Sequence, residues 1–141
     1  MTSAIEKTCQ YLISRALPTS SKYCAKAIRM AVDFGFSTHV EHTGAAKNYG
    51  PIYEKLGFKE VFSYPTMDKK DYSPQIGDIC IIQYEPNGHI CMNTVQGWIS
   101  DFKQRDMYGG KVRDKDPHFD IYRYSGDYIL NTYLNKPKIN I

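Results

Sequence analysis

Apolar positions recur with helical spacing in the first third of the chain and with strand spacing after it. Ile5, Cys9, Leu12, Ile13 and Ala16 form one stripe, preceded by Ser3 and Glu6 in the arrangement of a capping box and ended by Pro18. Thr19, Ser20 and Ser21 offer caps for a second helix from about Lys22 to Phe34, stopping at Gly35. Its apolar face is Cys24, Ala25, Ile28, Ala31 and Val32. A weaker third helix spans about Gly44 to Leu56, broken or kinked at Gly50-Pro51 and closed by Gly57.

From Phe58 onward the period changes. Lys59 to Tyr64 alternates, Pro65 to Pro74 is a polar loop, and Ile79 to Tyr84 is a β-rich run introduced by Gly77-Asp78. Glu85-Pro86-Asn87-Gly88 is a turn signal, after which His89 to Asn93, Gly97 to Lys103 and Phe119 to Tyr124 read as strands. Helices first and strands later predict an α+β fold, with N-terminal helices packed on an antiparallel β-sheet. The 141 residues contain no repeat or linker, which predicts one domain over residues 1–141.

Composition narrows the classes. At 42% apolar and 23% charged residues, a disordered chain and a coiled coil are both excluded. No apolar run approaches the roughly 18–20 residues of a membrane helix, and Met1 to Gln10, interrupted by Glu6 and Lys7, lacks a signal-peptide core. A net charge of +3 is too small to argue for nucleic acid, although it suits mild attraction to a polyanionic surface such as a bacterial wall.

Cys9, Cys24, Cys80 and Cys91 form no dense disulfide framework and no Cys-x-x-Cys pair. Cys80, His89 and Cys91 stop one ligand short of a closed zinc site, so neither a metal nor another cofactor is expected. Cys80 and Cys91 read as packing residues of apolar strands, with a cross-strand disulfide as the alternative. His39 and His42 suit a loop or cap, and His118 the start of a strand.

Two residues stand out for chemistry. Cys24 falls in the first turn of the second helix, where unpaired N–H groups and the helix dipole favour a thiolate and can also hold an oxyanion. The structural alternative is a small core residue beside Ile28 and Ala31. His89 opens a strand directly after Gly88. If the following hairpin closes symmetrically about Val95, His89 faces Asp101, whose carboxylate would hold one imidazole nitrogen and free the other to act on a thiol. A loop of two or four residues would put Asp101 on the opposite face.

The stretches Ser21-Lys-Tyr-Cys24-Ala-Lys-Ala-Ile-Arg29, Pro74-Gln-Ile-Gly77-Asp78-Ile79 and Gly88-His89-Ile-Cys-Met92, in that order, resemble the papain-like NlpC-type and CHAP peptidoglycan cysteine amidases and peptidases. Gly97-Trp98-Ile-Ser100-Asp101-Phe102-Lys-Gln104, with Tyr108, further resembles the small amidase effectors delivered by type VI secretion. The resemblance spans about residues 20 to 108 and implies Cys24 as nucleophile, His89 as base and Asp101 as the residue orienting the imidazole, with Asn93, Ser100 and Gln104 competing for that third place. Tyr23 or Tyr11 would line the site, and Trp98 is a further substrate contact.

The implied activity is hydrolysis of amide bonds in the peptide stems or cross-links of bacterial peptidoglycan by an antibacterial effector. Such a toxin is made in the cytoplasm, delivered by a secretion apparatus to the periplasm or wall of a target cell, and matched by a cognate immunity protein in the producer. The competing expectations are a non-catalytic peptide- or glycan-binding module of the same fold, and a cysteine hydrolase of another amide or ester.

Overall fold

A computed structural model describes residues 3–126, so the domain expected over 1–141 extends past the described residues at both ends. Three α-helices, α1 (Ala4–Arg15), α2 (Cys24–Phe36) and α3 (Gly50–Lys55), precede five strands: β1 (Phe58–Tyr64), β2 (Ile79–Gln83), β3 (His89–Thr94), β4 (Gly97–Ile99) and β5 (His118–Tyr124). The strands form one sheet in the order β1-β5-β2-β3-β4, with every pairing antiparallel. This is the α+β arrangement expected, with helices laid on an antiparallel sheet.

The capping box forms as read: the Glu6 N–H donates to Ser3 Oγ at 3.0 Å and the Ser3 N–H to Glu6 Oε1 at 3.2 Å. The third helical segment divides at the expected break into a 3-10 turn at Ala46–Asn48 and α3, with Pro51 in the first turn, where its missing N–H costs nothing. α1 crosses α2 at Gly35, where a Cβ would run into Thr8 Oγ1 and lie 2.7 Å from the Ala4 carbonyl oxygen. Only a residue without a side chain permits that approach.

Alternation along the central strands splits the core in two. Ile79, Ile81, Ile90 and Met92 join Leu12, Ile28, Ala31 and Val32 beneath the helices. Cys80, Ile82 and Cys91 join Phe62, Phe119 and Ile121 on the other face, which Trp98, Met107 and Tyr108 help to cover. The Gly77-Asp78 step before β2 is structural: buried Asp78 receives Arg123 Nε at 2.7 Å, the Tyr72 hydroxyl at 2.7 Å and the Gln75 N–H at 2.9 Å. Such pairing satisfies a carboxylate that burial alone would penalise.

The β3–β4 hairpin differs from the symmetric loop expected. Asn93 faces Trp98 and Thr94 faces Gly97, which leaves the two-residue turn Val95-Gln96. The Thr94 hydroxyl sets this register by donating to the Gly97 carbonyl at 2.8 Å and accepting the Gln96 N–H at 3.0 Å. Gly97, at φ +96°, supplies the left-handed residue that the tight turn requires. β4 then ends at Ile99 rather than reaching Lys103, because the chain turns away at Ser100 and bridges α1's exit through Leu17 and Phe102.

Candidate active site

Cys24 is the first residue of α2. The loop delivering it is organised from a distance by Asp101, whose Oδ2 accepts the Ser21 N–H at 2.6 Å, the Ser21 hydroxyl at 2.7 Å and the Tyr23 N–H at 3.3 Å. Oδ1 accepts the Ser100 hydroxyl at 3.1 Å. Burial pushes the Asp101 carboxyl up, but the donors from Ser21 and Tyr23 outweigh it and leave its pKa below the usual value. Lys22, the second residue before the sulfur, is held in a left-handed conformation at φ +70°. That conformation is disfavoured for a lysine and persists because the surrounding hydrogen bonds determine it.

His89 starts β3 immediately after Gly88, whose Cβ would lie 2.5 Å from the Ile82 carbonyl oxygen and 2.7 Å from Lys47 Cβ. The same turn is tied down by the Lys47 N–H, which donates to the Asn87 carbonyl at 2.9 Å. The imidazole Nε2 lies 2.7 Å from Gln104 Oε1. Gln104 Nε2 in turn donates to the carbonyls of Asp106 at 2.9 Å and Met107 at 3.2 Å, so the amide's oxygen is the atom presented to the ring. An acceptor there places the proton on Nε2 and leaves Nδ1 as the ring's free base. Gly109 backs this pair: a Cβ at that position would sit 2.9 Å from His89 Nε2.

Cys24, His89 and Tyr23 line one groove of about 580 Å³, together with Tyr49 and Tyr84. The backbone N–H groups of Ile90, the neighbour of His89, and of Ala25 favour the charged form of the sulfur. Burial raises the Cys24 thiol above its ordinary 9.0, and these N–H groups reduce the shift without reversing it. Burial also lowers the His89 imidazole below 6.5, more than the Gln104 hydrogen bond and the nearby Asp101 charge raise it. Burial thus works against the thiolate that the helix start favours, and against the charged form of the imidazole beside it.

Asp101, expected opposite His89, is hydrogen-bonded to the loop before α2 instead. The two-residue turn moves it off the position facing the imidazole, and Gln104 occupies the hydrogen-bonding place beside the ring. Trp98 lies away from the groove, half-buried against the core on the sheet's other face. Tyr11 stacks on Phe34 at 5.0 Å and lines a separate groove, which Tyr23 also lines. Asn93 donates to the Gln75 carbonyl.

Cys80 and Cys91 face each other across β2 and β3, buried and unbridged. No group of three or more metal-ligating side chains occurs among the described residues. Arg29 and Tyr84 of the groove went unread in the sequence. The available signal for Arg29 was that α2 carries no acidic residue before Asp33.

No family model and no curated protein matches the chain. Among solved structures, it is similar to a chain of the type VI native effector-immunity complex Tae3-Tai3 from Ralstonia pickettii, with 33% identity and a TM-score of 0.74 over 86% of this chain and 98% of that one. The selenomethionine form of that complex gives 32% identity and a TM-score of 0.71 over 82% and 98%. With the Cys24–His89 groove set in a fold of that likeness, the chain belongs to the Tae3 family of type VI effectors.

Proposed function

We propose that the protein is an antibacterial peptidoglycan amidase of the cysteine type, related to the NlpC and CHAP hydrolases, that cuts amide bonds in the peptide stems or cross-links of the bacterial wall. The observation that carries the proposal is the sharing of one groove by Cys24 at a helix start and His89, whose Nε2 is held by the oriented Gln104 amide. In the reaction, the thiol and Nδ1 close to hydrogen-bonding distance, and the imidazole takes the thiol proton as sulfur attacks the carbonyl. The first N–H groups of α2 hold the oxyanion. The imidazolium then protonates the leaving amine, the carbon–nitrogen bond breaks, and a thioester remains. His89 next activates water, which releases the acid and restores the thiol.

Asp101 is a positioning residue for the nucleophile, and Gln104 is one for the base. The effector family supports delivery by a type VI apparatus to the periplasm or wall of a target cell, and a cognate immunity protein that occludes the groove. The deciding experiment digests purified peptidoglycan and identifies the released muropeptides by mass spectrometry. The native protein should release stem fragments, while Cys24→Ala keeps its thermal midpoint and releases none. Hydrolysis retained by that variant refutes the assignment.

A further inference from the structure

We propose that Arg29 is the specificity residue of a carboxylate subsite in the groove, selecting peptide stems with a free carboxylate beside the scissile amide over stems amidated there. The inference rests on the peptidoglycan reading above.

The groove's charge is one-sided. Lys22, Lys26, Arg29 and His42 line it, and no Asp or Glu does. Arg29 makes no hydrogen bond or ion pair among the described residues, and its Nε is buried without a partner. Asp33, one helical turn further on, is placed to neutralise Arg29, yet its Oδ1 accepts the Val40 N–H at 2.6 Å. The buried Tyr53 hydroxyl also lacks a partner; burial pushes its pKa up, and the nearby Arg29 charge only partly opposes that. Buried donors are ordinarily satisfied, and those that are not commonly mark a place where a ligand or water completes the set.

A guanidinium is the side chain best matched to a carboxylate, because its planar fork donates two parallel hydrogen bonds and stays charged at any physiological pH. Lys22 and Lys26 on the exposed rim add an attractive field without fixing geometry. Stem peptides joined through side-chain carboxyls leave free carboxylates along their backbone, and amidation removes that charge while hardly changing size. Arg29 lies on the same helix as the nucleophile, so a carboxylate bound there registers the neighbouring amide against Cys24.

The test uses Cys24→Ala protein, which reports binding without turnover, titrated calorimetrically with a cross-linked stem-peptide fragment bearing free carboxylates. The comparison ligand is the same fragment with the carboxylates next to the scissile amide converted to carboxamides. Amidation should weaken binding about tenfold to a hundredfold, the usual range for losing a charged hydrogen-bonding partner. Adding Arg29→Gln should weaken the acid fragment to a similar extent and leave the amidated one unchanged, while Arg29→Lys restores part of the preference. Equal affinity for the two fragments, no binding of either, or a preference that survives Arg29→Gln overturns the subsite. Clear discrimination by Cys24→Ala protein, with no cleavage by the native protein, upholds the subsite and rejects the hydrolase reading.

Discussion

At the scale of single residues, the site depends on a proton being on the correct imidazole nitrogen. Gln104 fixes this because its own amide N–H2 is engaged by two carbonyls, which leaves its oxygen no other orientation beside the ring. Gln104→Glu puts a carboxylate at the same place and favours the imidazolium, so the acid limb of kcat/KM should move up by about one pH unit or more. A pH–rate profile measured on soluble muropeptides checks this, and an unmoved limb would show that residue 104 does not govern the base. The sequence placed Gln104 among the competitors for this role but favoured Asp101. The choice turned on one hydroxyl: Thr94 closes the hairpin with two residues instead of three, and nothing in the alternation of apolar positions encodes that difference. Cys24, by contrast, was legible because Thr19-Ser20-Ser21 precede an apolar stripe of helical period, although the helix runs through the expected stop at Gly35 to Phe36 and its cap, Tyr23, makes no side-chain bond.

At the scale of elements, α1 and α2 form the platform that carries the nucleophile to the sheet. Their closest approach runs through Gly35, where added volume has nowhere to go: Thr8 and the Ala4 carbonyl already fill the space. Gly35→Ala should therefore destabilise the fold by about 1–3 kcal/mol through overpacking, read as a lower midpoint in denaturant at an unchanged slope. Unaltered stability would mean that the two helices separate freely. Element types and order were all readable from periodicity. Where β4 stops was not, because Ser100, Asp101 and Phe102 leave the sheet to pin the loop before α2, a contact between distant parts of the chain. Asp101 was thus read as the partner of His89, whereas it is hydrogen-bonded to Ser21 and Tyr23 ahead of the nucleophile candidate.

For the molecule as a whole, acid acts on two groups in the same direction. His89 is held below 6.5 in the fold by burial, so the unfolded chain binds its proton more readily and stability falls as pH drops below 6.5. Asp101 is held below 3.8 by its donors despite burial, so its contribution is present above that value and is lost as pH falls through its lower folded pKa. Urea midpoints measured from pH 8 to pH 3 should decline in two stages, and His89→Gln should remove the upper one. A midpoint that stays level down to pH 4 would contradict the buried neutral imidazole.

Neither half of the proposed pair has local support from the other. Cys24 belongs to a helix near the amino end and His89 to a strand far along the chain, and only the seating of α2 on β3 brings them to one groove. A nascent or extended polypeptide consequently carries both reagents without the reaction, and any loosening of that one seam disarms it. The site's safety catch is the protein's tertiary structure.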